Sequence, residues 1–466
     1  MHLEQIYLGC LSQASYLIVD EKTKTAAVVD PRRDVGVYLE KAAKLGATIR
    51  HVLLTHFHAD FLAGHLELRE RCGATIHLGA RGKAEYPVQA MRDGGALELG
   101  DVRLEFLETP GHTPESVSIV VYDKEKDSKK PVAVLTGDTL FIGDVGRPDL
   151  MVAAGMKAED LAGMMYDSLK KILKLPDETI VYPGHGAGSS CGKNLSSETS
   201  STLGVQRRAN YALQPMSKTE FVRLVTAEQP AAPAYFGYDA GLNRAERVTL
   251  ERVLATALKP LELDEVLRLA KSGARLLDTR DAEAFAAEHL RGSINIGLSG
   301  RYASWVGTLL DPAQPIVLVA ASGKEEESAT RLGRIGFDGI AGYLRGGLAA
   351  AQARPAELVR GARVAREALA RRLAAPNPPQ VVDVRTNAEW NAGHIEGALH
   401  LVLDDLTKDL ARVPKNRELV VVCKSGYRSS IGASLLQAAG FERVTDLAGG
   451  MDAWSAAPSG AGTRQG

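Results

Sequence analysis

The chain carries one pattern twice, at 258–350 and at 368–458, and this repeat constrains the fold more than any other feature. LLDTRDAEAFAAEHLRGSINIGL parallels VVDVRTNAEWNAGHIEGALHLVL, and IVLVAASGKEEESATRLGRIGFDGIAGYLRGG parallels LVVVCKSGYRSSIGASLLQAAGFERVTDLAGG. Each copy reads as strand, helix, strand, loop, helix, strand, the order of a small parallel sheet covered by helices. The stretch 351–372 reads as a helix opening the last unit, PNPP at 376–379 punctuates before its first main strand, and SGAGTRQG reads as a loose tail.

Residues 1–250 follow a different rhythm. YLIVD, TAAVVD and HVLLTH read as short strands, with an amphipathic helix over VYLEKAAKLGA ending near Gly46. Further strands and helices alternate, with hairpins among the strands, which suits a layered α/β sandwich. A chain of 466 residues exceeds one ordinary core, so several domains are expected. A formal charge of -1 gives no electrostatic reason to expect nucleic acid or an anionic membrane as partner. MHLEQIYLGC has no basic run leading into an apolar stretch, and no apolar run approaches bilayer length. Four cysteines (Cys10, Cys72, Cys191 and Cys423) make no disulfide framework and point to a reducing cytoplasm. Cys10 and Cys72 sit in apolar surroundings and read as buried spectators.

Four turns carry histidine or aspartate directly after apolar, strand-like runs: THFHAD (55–60), TPGHT (109–113), TGDTLF (136–141) and YPGHG (182–186). Ligands at strand ends stand on rigid supports and can converge in one cleft. Together they define a candidate metal site from His56, His58, Asp60, His112, Asp138 and His185, with Phe61 standing beside Asp60.

This segment resembles the metallo-beta-lactamase superfamily, and within it the persulfide dioxygenase branch. Two-metal relatives read HxHxDH at the first turn, where the final Asp and His serve the second metal. Phe61 replaces that histidine and cannot coordinate. The resemblance assigns one Fe(II) to His56, His112 and Asp138, the two-imidazole, one-carboxylate set of non-haem iron oxygenases. His58, Asp60 and His185 then orient ligands or hydrogen-bond bound oxygen. No organic cofactor is expected. One or two zinc ions using His58 or His185, with a hydrolytic water, remain the alternative. The resemblance also places Arg147 near the substrate, and Tyr182 is a further candidate contact; either could instead be a structural hydrogen-bond partner. Cys191 lies in a Gly/Ser-rich loop similar to that of bacterial fusions of persulfide dioxygenase with rhodanese domains. There a cysteine near the iron pocket accepts sulfane sulfur; Cys191 is either such an exposed thiol near Lys193 or a free surface thiol with no role.

The last repeat resembles a rhodanese domain. Its loop is Cys423, Lys424, Ser425, Gly426, Tyr427 and Arg428, with a strand leading in and a helix leading out. Backbone N–H groups and the helix N-terminus then face the thiol and stabilise a persulfide anion, while Arg428 clamps an incoming oxyanion and Lys424 attracts it. Phosphatases of this fold place one more residue between Cys and Arg, so the short loop favours sulfur. The middle repeat has Ala320 at the cysteine position and Lys324 and Glu325 at those of Tyr427 and Arg428, so it is expected to be silent. Asp383 and Arg385 brace the fold, and His289 and His394 are packing residues. The architecture expected is therefore a metallo-beta-lactamase αββα sandwich followed by two rhodanese-like α/β domains. Its expected chemistry is oxidation of low-molecular-weight thiol persulfides by O2 to sulfite and thiol. Cys423 then transfers sulfur to sulfite, giving thiosulfate, in a cytoplasmic homo-oligomer. A glyoxalase II-like zinc thioester hydrolase with an accessory sulfurtransferase is the alternative; a non-enzymatic sulfur carrier fits poorly with two intact sites.

Overall fold

The computed structural model describes residues 1–152, 155–229 and 231–456. The tail SGAGTRQG lies outside these residues. The chain divides into two compact units, Met1–Val253 with Leu332–Phe337, and Leu254–Arg331 with the chain from Asp338 onward.

The first unit holds two six-stranded sheets. One contains, in order, β1 (His2–Leu8), β2 (Gln13–Val19), β3 (Thr25–Val29), β4 (Thr48–Leu54), β5 (Thr75–Gly79) and β6 (Gln89–Met91). The other contains β7 (Ala96–Glu98), β8 (Val102–Glu108), β9 (Val117–Asp123), β10 (Ala133–Gly137), β11 (Ile180–Pro183) and β12 (Ser201–Thr202), also in sequential order.

The central strands β2, β3, β9 and β10 are buried on both faces because both faces are covered. Side chains alternate across a strand, so Tyr16 and Ile18 enter the core between the sheets with Leu53, Leu104, Ile119 and Leu135. Leu17 and Val19 point the other way, toward the helix Gly36–Lys44 and its neighbour His65–Cys72. On the far side, Val120, Val134 and Val181 pack with Leu161's neighbours Ala162, Met165 and Leu169 on the helix Ala158–Ile172. The result is the expected helix–sheet–sheet–helix sandwich.

The second unit holds two parallel sheets. The first is built from β13 (Pro260–Leu261), β14 (Arg275–Asp278), β16 (Ile294–Asn295), β17 (Ile316–Val319) and β18 (Ile340–Leu344), in the order β13-β18-β17-β14-β16. The second is built from β20 (Gln380–Asp383), β21 (Leu399–His400), β22 (Leu419–Val422) and β23 (Val444–Asp446), in the order β21-β20-β22-β23. Both repeats stack a histidine on an aromatic ring four residues earlier: His289 on Phe285 at 3.8 Å and His394 on Trp390 at 3.6 Å. Asp383 and Arg385 form a buried ion pair at 2.7 Å, as their bracing role requires.

The segment between the repeats departs from the expected single helix. It contains two short 3-10 turns, then β19 (Leu358–Arg360), and only Arg366–Leu373 is α-helical. β19 pairs antiparallel with β15 (Glu288–Leu290), burying His289 and Leu290. Pro355 and the polar residues around it interrupt helical periodicity, and a waiting strand edge claims the next three residues. Among the described residues, no helix is long and apolar enough to cross a membrane.

Candidate functional site

Each candidate ligand follows the end of a strand. His56 comes two residues after β4, His112 follows β8, Asp138 follows β10 and His185 follows β11. Two sheets thus deliver their strand ends to one buried point. His56 Nε2 lies 3.8 Å and His112 Nε2 3.5 Å from Asp138 Oδ2. The two imidazole planes stand at 89°, with ring centroids 5.0 Å apart. One donor atom from each of the three lies within 4.8 Å of the others, and all three residues are buried. The nitrogens are too far from the carboxylate for hydrogen bonds, yet donors bound to one ion at about 2.0–2.2 Å would stand at nearly this spacing. The donor set therefore fits one divalent metal, and its two nitrogens and one oxygen suit iron or zinc.

The protonation of both histidines is set from behind. His112 Nδ1 donates to the Arg147 carbonyl at 2.9 Å. The Thr55 hydroxyl donates to Asp30 Oδ2 at 2.7 Å, so toward His56 Nδ1, at 3.0 Å, it can only accept. Both Nε2 lone pairs are left for the metal. Asp30 also accepts the Thr55 N–H at 2.8 Å and holds a left-handed backbone, φ 48°, a strained conformation that its neighbours must enforce. Gly137, at φ 50°, lets the chain pass Thr55: a Cβ there would fall 2.5 Å from the Thr55 hydroxyl.

Burial lowers His56 well below the ordinary imidazole value, with His58 adding to it. His112 is lowered by burial against the opposing pull of Asp138. Burial alone would raise the Asp138 carboxyl, but His185, His56 and His112 hold it far below the usual carboxylate range.

The remaining residues divide into two groups. His58 is not in the ligand set: its Nε2 sits 3.0 Å from Asp30 Oδ1, off the line of a hydrogen bond, and its ring lies 4.3 Å from Phe61. Phe61 is itself fully buried, 6.5 Å from the His185 ring. His185 bridges two carboxylates, with Nδ1 2.9 Å from Asp138 Oδ1 and Nε2 2.8 Å from Asp60 Oδ2. Neither His185 Nε2 nor Asp60 Oδ1 has an aligned hydrogen bond, although both are buried. Asp60, His185 and Cys191 form a second buried group whose donor atoms lie within 4.8 Å of one another.

Cys191 differs from its expectation. It is 1% exposed, and burial pushes its thiol up, with Asp60 and Asp138 adding to the effect. Lys193 does not activate it; its ammonium reaches the Ala227 and Leu224 carbonyls instead. Cys10 and Cys72 are only partly buried, contrary to expectation. Arg147 is buried, and its guanidinium engages Asp149 at 2.7 Å and the Ser190 carbonyl at 3.2 Å. Its contribution to the centre is the carbonyl that fixes His112. Tyr182 packs its ring on Tyr16 at 5.4 Å, against the core between the sheets.

In the second unit, β22 runs into Cys423 and the helix Tyr427–Ala438 leaves the loop. The Gly426 N–H donates to Cys423 Sγ at 3.1 Å, from a backbone at φ 100° that favours glycine. Ser429 Oγ lies 3.5 Å from the sulfur and donates to Asp446 at 2.7 Å. Met451 and Asp452 N–H groups tie down the Cys423 and Lys424 carbonyls at 2.7 and 2.9 Å. Lys424 and Ser425 are exposed.

Arg428 forms a two-pronged pair with Glu389 at 2.6 and 2.8 Å, so the expected oxyanion clamp already holds a carboxylate. This contact, opposed by partial burial, brings Glu389 down to about 2. Sequence reasoning missed Asp30, Thr55, Glu389 and Asp446. The signals were faint: an Asp closing a strand in TAAVVDP, a Thr beside His56, and a Glu three residues after Thr386.

The sequence comparisons agree with this fold. The metallo-beta-lactamase superfamily model matches residues 8–185, and the rhodanese-like domain model matches 262–354 and 365–457. The chain belongs to the metallo-beta-lactamase superfamily and joins that metal-binding fold to two rhodanese-like domains. Hydroxyacylglutathione hydrolase of Rhodospirillum rubrum is 31% identical over 263 residues, 55% of this chain and 92% of that protein. The cytoplasmic hydroxyacylglutathione hydrolase of Arabidopsis thaliana is 37% identical over 183 residues, 38% of this chain and 66% of that protein. A solved metallo-beta-lactamase structure from Staphylococcus aureus matches with a TM-score of 0.64 and 32% identity, covering 73% of this chain and 98% of that one.

Proposed function

We propose that the first domain is a persulfide dioxygenase holding one ferrous ion on His56, His112 and Asp138, and that Cys423 transfers sulfur to the sulfite it makes. The observation that carries this reading is Phe61, a buried apolar ring 4.3 Å from the His58 ring, at the sequence position where two-metal relatives carry a histidine. The net reaction is R–S–SH + O2 + H2O giving R–SH and sulfite with two protons. The ion, when bound, supplies electron transfer to dioxygen. The chain's own residues hold that ion and keep both Nε2 atoms unprotonated.

At the second site, the Cys423 thiolate attacks the outer sulfur of a persulfide and R–S⁻ leaves. Sulfite then attacks the outer sulfur of the Cys423 persulfide, the S–S bond breaks, and thiosulfate leaves with Cys423 returned as thiolate. Gly426 N–H stabilises the sulfur anion, and Arg428 exchanges Glu389 for the oxyanion. The reading includes low-molecular-weight thiol persulfides as substrates, self-assembly, and a cytoplasmic location suited to four free cysteines.

A second reading is a zinc-dependent thioester hydrolase of the glyoxalase II type with an accessory sulfurtransferase. The relatives named above favour it, since they are hydroxyacylglutathione hydrolases. The Asp60, His185 and Cys191 group favours it too, as a second donor set. Metal analysis with oxygen-uptake measurement separates the two. Stoichiometric iron and persulfide-dependent uptake are expected; stoichiometric zinc with thioester cleavage and no uptake overturns the dioxygenase.

A further inference from the structure

The silent repeat has lost its thiol, yet it touches the loop of the repeat that kept one. Tyr427 is the first residue of the helix leaving the cysteine loop, next to the Gly426 N–H that reaches Cys423 Sγ. Its hydroxyl donates to the Gly297 carbonyl at 2.7 Å, and burial pushes that hydroxyl up, so it remains a donor. Its ring lies over Gly300, where an added Cβ would overlap three ring atoms; at Gly297 a Cβ would meet the ring edge at 3.7 Å. The active repeat has Val402 at the position matching Gly297, so the small residue belongs to the copy that receives the ring.

Two further ties reach the same helix from the silent repeat. Ser430 Oγ donates to Asn295 Oδ1 at 2.7 Å, and the Asn295 N–H donates to Ser434 Oγ at 2.9 Å. Arg363 completes the set, donating to Glu283 at 3.1 Å and to the Gly426 carbonyl at 2.8 Å.

We propose that the silent repeat is the seat of the sulfur-transfer loop, and that Tyr427 is a positioning residue through which Gly297 and Gly300 hold the Gly426 N–H on the Cys423 sulfur. A loop whose donors must point inward at a backbone of φ 100° gains its order from outside itself.

The test uses the full chain with Tyr427→Phe, Gly300→Ala, Tyr427→Ala and the Gly300→Ala/Tyr427→Ala double variant. Two quantities are read: the ultraviolet thiolate absorbance of Cys423, as the difference from Cys423→Ala, and sulfite-dependent thiosulfate formation. Tyr427→Phe and Gly300→Ala are expected to lower the thiolate signal and to cut kcat by about tenfold, with the KM for sulfite unchanged. Gly300→Ala is expected to add no loss to Tyr427→Ala, because both act through one ring. Tyr427→Phe keeps the ring and tests the idea even if the other variants fold poorly. The proposal is overturned if the single variants keep the wild-type thiolate signal and kcat, or if the Gly300 and Tyr427 losses add. The kcat arm rests on the sulfur-transfer reading, whereas the thiolate arm does not. Absent turnover in the unsubstituted chain therefore sinks that reading alone.

Discussion

Thr55 decides how His56 presents itself. Its single hydroxyl hydrogen is committed to Asp30, so Thr55→Val removes the acceptor that keeps the proton on His56 Nδ1. Metal affinity is expected to fall about 10- to 100-fold, the usual scale for losing such an outer partner, as read by competition against a chelator. Glu389 governs a different balance. Its carboxyl moves from the ordinary 4.5 to about 2 because Arg428 holds the ionised form. A depressed carboxyl contributes stability that is present above its unfolded value and is lost as pH falls through the folded one. Wild type should therefore lose melting temperature between pH 4.5 and about 2, and Glu389→Gln should lack that component. An identical acid profile for the two proteins would refute the coupling.

The candidate ligands His56, His112 and Asp138 were legible at the scale of elements because each sits in a turn following a strand-like run, and a family resemblance singled them out of six such residues. Their partners were not, because Asp30 and Thr55 matter only once β3 and β4 lie side by side, and sequence spacing carries no such register. Cys191 shows the same limit: a Gly/Ser-rich loop reads as exposed, but this one folds inward beside Asp60 and His185. The repeat fixed both parallel sheets in advance. It said nothing of β15 and β19, each three residues long and too short to show a period.

For the molecule as a whole, the proposed chemistry separates by substitution. His112→Ala is expected to abolish sulfite production while Cys423 still forms thiosulfate from added sulfite. Cys423→Ala is expected to do the reverse, with oxygen uptake retained and free sulfite accumulating, as followed by ion chromatography. Loss of both activities in either variant would contradict two separable sites. The β15–β19 ladder bears on how such a chain can be divided. Repeat boundaries suggest a cut near residue 351, but β19 lies beyond it, at Leu358–Arg360. A fragment ending at 351 would leave the Glu288–Leu290 backbone as an unpaired edge with Leu290 uncovered, inviting intermolecular pairing. A fragment carried through residue 361 should aggregate less, by light scattering, than one ending at 351. The strand pairing of the silent repeat therefore runs about ten residues past the boundary that the repeat implies.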